Sequence, residues 1–104
     1  MSDYFDLALD EMKRVHDKKK ADYSNSLDAF SNFRFAAEFA NMPTEFTFEV
    51  LLGVKQARLI NLMSGDKPPL NESILDTLLD RANYAALAYA YALSVEGREF
   101  NDKP

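Results

Sequence analysis

Residues 44–65, TEFTFEVLLGVKQARLINLMSG, decide the fold. Thr44 and Glu45 follow Pro43 and open a helix, because the fixed φ of proline suits a helix start, and the pair Ser64-Gly65 stops it just past Met63. At about 100° per residue, Phe48, Leu51, Leu52, Leu59 and Leu62 share one face. Lys55 falls in the middle of that face and Arg58 near its edge. An ammonium in an apolar stripe has two readings: the stem packs while the head reaches water, or the charge faces an anion inside the bundle.

Working outward, Pro43 ends a second helical segment running from about Leu27 to Asn41. It carries Phe30, Phe33, Phe35 and Phe39, which point in several directions and so predict a helix covered on more than one side. Ser24-Asn25-Ser26 separates it from a first helix that starts after Ser2, a capping residue, and places Phe5, Ala8, Met12 and Val15 at helical spacing. That helix runs out in Asp17-Lys18-Lys19-Lys20, where cations complement the helix dipole. Downstream, Asp66-Lys67-Pro68-Pro69 reads as a short stiff loop, Asn71 caps a long fourth helix with Glu72 in its first turn, and Gly97 stands where a C-terminal glycine cap belongs.

No stretch shows the period-two alternation of a half-buried strand. The expected fold class is therefore all-α, a compact bundle of four main helices in a single domain over residues 1–104, with its core in about 3–96 and a flexible tail at 97–104. Past Asp80 the fourth helix is nearly all Ala, Leu and Tyr through Leu93 and leaves hardly any polar side. Small residues let another helix approach closely, so a homo-oligomer, most simply a homodimer, is expected to complete the bundle, with core packing inside the monomer as the alternative for the alanines.

The composition narrows the chemistry. With 47% hydrophobic and 28% charged residues the chain is globular in balance, and with no cysteine it has no disulfide, thiolate metal site or cysteine nucleophile. His16 is the only histidine, so a bound metal would be held by oxygen, which favours magnesium or manganese. A net charge of −5 argues against nonspecific attraction to nucleic acid or anionic lipid. The first residues lack the basic and apolar pattern of a signal peptide, and no apolar run approaches the roughly 20 residues of a membrane span, so a cytoplasmic protein is expected.

Glu72, Asp76 and Asp80 are spaced i, i+4, i+8, with Asn83 one turn further on. Three like charges in line repel one another, which suggests something positive opposite them, either a metal or the Lys55 and Arg58 pair. The alternative is a solvated acidic stripe near a helix N-terminus, which accounts well for Glu72 and poorly for Asp80.

The order of motifs, His16-x-x-Lys19-x-x-Asp22-Tyr23, Phe30-Ser31-Asn32-Phe33, Lys55-x-x-Arg58-Leu59 and Asn71-Glu72-Ser73-x-x-Asp76-x-x-x-Asp80-x-x-x-Tyr84-Ala85, resembles small phage and prophage proteins related to the all-α MazG-like nucleotide pyrophosphohydrolases. The resemblance spans roughly residues 12 to 93. It implies an oligomeric bundle that binds a nucleoside phosphate, with Mg2+ held by carboxylates and a water attacking a phosphate. On that model Glu49, Glu72, Asp76 and Asp80 would be metal ligands, with Asp76 and Asp80 catalytic. Lys19, Lys55 and Arg58 would neutralise phosphate oxygens, Tyr23 would stack on a base, and Asn83 would contact substrate.

The enzymes of that group carry a dense Glu-Glu-x-x-Glu cluster on an earlier helix, whereas this chain has Glu45 and Glu49 at i, i+4 and an isolated Glu38. Two alternatives to hydrolysis follow: a noncatalytic phage protein that sequesters a nucleotide, and a small acidic module that docks on a basic protein partner.

Overall fold

The computed structural model describes residues 3–22, 30–65 and 71–96. They form four helices: α1 (Tyr4–Asp22), α2 (Ser31–Ala40), α3 (Thr44–Ser64) and α4 (Asn71–Glu96). The fold is all-α, and no described helix is long and apolar enough to cross a membrane. The Ser2 cap, the start of the second helix at Leu27, the proline loop, the Gly97 cap and the tail lie outside the described residues.

Local chemistry sets the helix ends. α1 is capped by Asp3, whose Oδ1 accepts the Asp6 N–H at 2.8 Å, and its last turn holds Lys19 and Lys20 beside the exposed carbonyls. α2 ends at Ala40 and is closed by a left-handed Asn41 with φ 55°, two residues before Pro43. There the Asn41 N–H bonds the Glu38 carbonyl at 3.2 Å and the Met42 N–H bonds the Ala37 carbonyl at 2.9 Å, a Schellman closure with asparagine in the place glycine usually takes. Pro43 then serves the next helix, its carbonyl accepting the Phe46 N–H at 3.0 Å. Gly65, expected to use its backbone freedom as a cap, instead lies in extended backbone at φ −71°, ψ 157°, which any residue adopts.

α3 and α4 form the main packing layer. The polar pairs Arg58 with Thr77, and Gln56 with Arg81, couple a later α3 residue to an earlier α4 residue, so the two helices run antiparallel. α2 packs on α3 and α1 on α4; among the four helices α1 touches no other. The core is small and aromatic. Phe48 is fully buried, with Phe33 of α2 stacked on it at 4.5 Å between ring centres and Tyr91 of α4 tilted against it at 5.6 Å. Phe30 and Phe33 also reach α4 edge-on, against Tyr91 and Tyr84 at 5.5 and 6.3 Å. Leu59 and Ala37 complete the buried apolar set among the described residues.

The face expected of α3 is the one that packs: Phe48 and Leu59 are buried, and Leu51, Leu52, Lys55 and Leu62 are half-buried. α2 differs from expectation. Phe33 and Ala37 face the core, but Phe35 and Phe39, on the opposite side, remain exposed, so the described residues cover α2 on one side only. On α1, Met12 and Val15 are half-buried while Phe5 and Ala8, on the same stripe, stay in the open. The alanine-rich part of α4 divides likewise: Ala82, Ala88 and Ala90 are half-buried, and Ala85, Ala86 and Ala92 are exposed.

Candidate functional site

Three helices meet at one carboxylate. Asp80, on the α3-facing flank of α4, receives the Lys55 ammonium at 3.0 Å on Oδ2 and the Lys19 ammonium of α1 at 3.9 Å on Oδ1. Lys55 lies in the apolar stripe of α3 and its side chain is three-quarters buried, while Lys19 is half-exposed. Both readings of Lys55 thus hold together: the methylenes pack, and the head faces an anion, which is the chain's own Asp80. A pair in this partly sheltered position contributes on the order of 1–2 kcal/mol, between the fraction expected of a surface pair and the larger loss on breaking a buried one.

One turn along α3, Arg58 donates from Nε to Oγ1 of Thr77 at 3.2 Å. Thr77 is one of the two most deeply buried large side chains, and its hydroxyl fixes the inner end of a guanidinium whose outer end is exposed. Nothing in the sequence marked Thr77; its place three residues before Asp80, on the α3 side, is the signal that pairing α3 with α4 would have supplied. Arg81 donates to Oε1 of Gln56 at 2.7 Å on the other flank of the same interface. Asn83 is half-buried, and its Nδ2 has no hydrogen-bond partner although that atom is sealed from solvent. Such an orphan donor costs about 1–3 kcal/mol, which makes it the least satisfied polar atom near Asp80.

The remaining acids do not join this group. Asp76 sits one turn before Asp80 but is exposed, because four residues advance a helix by 400° and swing each successive side chain about 40° round the axis. Glu49 is exposed as well, and lies about 120° round α3 from Lys55. Glu72 has no described side chain, and Tyr23 lies outside the described residues. Among the described residues no group of three or more histidine or acidic side chains comes together as a metal ion would need. Both Asp80 oxygens already face ammonium groups, so the described carboxylates do not fit a magnesium site in this arrangement.

The other ion pairs of α1 belong to its surface. Lys13 donates to both oxygens of Asp17 at 2.9 and 3.1 Å, and this bonding holds the Asp17 carboxyl below the usual carboxylate range. Arg14 does the same for Glu11 through two hydrogen bonds, and Glu11 in turn raises the Arg14 guanidinium. These i, i+3 and i, i+4 pairs support the helix where only one of its faces touches the rest of the chain.

Compared with models of known protein families, with curated proteins and with solved structures, the chain matches none.

Proposed function

We propose that the chain binds the phosphate end of a nucleoside phosphate at the cations Lys19, Lys55 and Arg58, as its resemblance to MazG-like bundles implies, and that it acts as a binder rather than a magnesium-dependent hydrolase. The observation that carries this reading is the pairing of two ammonium groups from different helices with the single carboxylate of Asp80. With Arg58 one turn away, the described residues of the α1–α3–α4 junction place three cations around one half-buried acid in a chain whose net charge is −5. A phosphate oxygen arriving there takes over one lysine from Asp80, which keeps the other, and meets a second cation in Arg58. The noncatalytic form of the reading is favoured because Asp76 and Glu49 stand apart from Asp80.

Thermal melting of the full chain with a panel of nucleoside mono-, di- and triphosphates, each with and without Mg2+, tests this directly. A ligand at ten times its Kd stabilises by about 1.4 kcal/mol, which is a rise of several degrees for a domain of this size. The rise should shrink in Lys55→Met and in Arg58→Met. Absence of any shift across the panel would overturn the binding reading. Release of a monophosphate that requires Mg2+ and is lost in Asp76→Asn and Asp80→Asn would replace the binder with the pyrophosphohydrolase.

A further inference from the structure

Among the described residues, nothing covers the face of α3 turned away from the core. Phe46, Val50, Gly53, Ala57, Ile60 and Ser64 lie within about 60° of the direction opposite Phe48, and all six are exposed. Their spacing of four, three, four, three and four residues is that of a helix-pairing seam. No position of the seam is charged, and its middle is small: Gly53 and Ala57 sit between Val50 and Ile60, and a Cβ built on Gly53 meets nothing within 4 Å. Val54, also more than half exposed, widens the strip on one side.

We infer that this seam is the surface on which a second copy of the chain docks, with the two α3 helices antiparallel about a two-fold axis level with Lys55. In that register Gly53 faces Ala57 of the other copy, Val50 faces Ile60, and Phe46 faces Ser64. Small residues meet at the crossing and let the helices approach closely, while each large residue meets a smaller or similar one toward the ends. The charges favour the same direction. Glu45 and Glu49 both lie near the N-terminal end of α3, so a parallel pair would bring four acids together, whereas the antiparallel pair places two at each end and opposes the helix dipoles.

Each large half-exposed side chain of the strip offers on the order of 100 Å2, so Phe46, Val50, Val54 and Ile60 with the small residues between them bury roughly 500 Å2 per copy. That total of roughly 1,000 Å2 stands at the lower edge of specific interfaces, and the dimer is accordingly a weak one, forming in the micromolar range. Lys55 projects from the opposite side of α3, so pairing leaves the cation cluster uncovered, and the inference does not depend on the proposed ligand.

Sedimentation velocity of the full chain across micromolar to millimolar concentrations should show a reversible monomer–dimer equilibrium. Val50→Glu and Ile60→Glu, both exposed in the single chain, should keep the helical circular dichroism and weaken the dimer tenfold or more. The direction is read by cross-linking, because the chain has no cysteine of its own. An equimolar mixture of Gly53→Cys and Ala57→Cys chains should form a disulfide-linked dimer on oxidation, and either variant alone should form far less. A chain that stays monomeric throughout, a dimer indifferent to both glutamates, or a single variant that cross-links better than the mixture would each overturn the inference.

Discussion

On α3, Phe46 and Phe48 are two residues and about 160° apart; the second is 0% exposed and the first 56%. Both faces are apolar over the length of the helix, yet α2 and α4 fold onto one of them and no described residue covers the other. The inner face mixes large residues with a single charge, Lys55, whose partner arrives from α4. The outer face has no charge and narrows to glycine and alanine at its centre. Apolar character therefore tells that a helix face is to be covered, while size pattern and the placement of charge tell what covers it.

Truncation on the two faces should separate them most widely. Phe48→Ala removes the ring on which Phe33 and Tyr91 pack and should cost about 3–5 kcal/mol, read as a lower urea midpoint, enough to unfold much of so small a core. Phe46→Ala in dilute solution should stay within about 0.5 kcal/mol of the parent. Equal losses at the two positions would break the contrast between the faces.

A double-mutant cycle sharpens the inner face. Lys55→Met and Asp80→Asn, alone and combined, should give a coupling energy of about 1–2 kcal/mol by chemical denaturation, since the contact is 3.0 Å and partly sheltered. A coupling near zero would mean that the lysine packs by its stem alone. The smallest effect belongs to the outer face. Gly53→Ala adds a methyl into open space within an exposed helix interior and should raise the stability of the dilute protein by about 0.5–1 kcal/mol. A loss there would show that the space beside Gly53 is already filled in the single chain.

The four helices and the inner face of α3 were legible because a period of 3.6 residues fixes which side chains travel together. The pairing of Lys55 with an acid of the fourth helix was legible for the same reason: one charge in an apolar stripe needs a partner, and Asp80 lies in the only line of acids on that helix. The sequence placed Asp76 beside it, but the 40° drift between i and i+4 is enough to carry one carboxylate inward and the next outward. Phe35 and Phe39 expose a different limit. Ring hydrophobicity announces burial without saying whether the same chain provides it, and here their side of α2 is open. Thr77 passed unnoticed because a threonine in a helix interior has no distinguishing pattern until α3 lies against it.

The attachment of α1 bears on how the junction behaves in time. Among the described helices its one neighbour is α4, and Phe5 and Ala8 of its apolar stripe are exposed. With so little of it packed among the described residues, its release is expected at the low end of the ladder of partial openings that every folded chain samples. Each such opening carries Lys19 away and leaves Asp80 to Lys55 alone. A partial opening confined to α1 would therefore leave a one-lysine junction while the α3–α4 pair stays folded, so the contact at 3.9 Å from Lys19 is expected to be lost before the contact at 3.0 Å from Lys55.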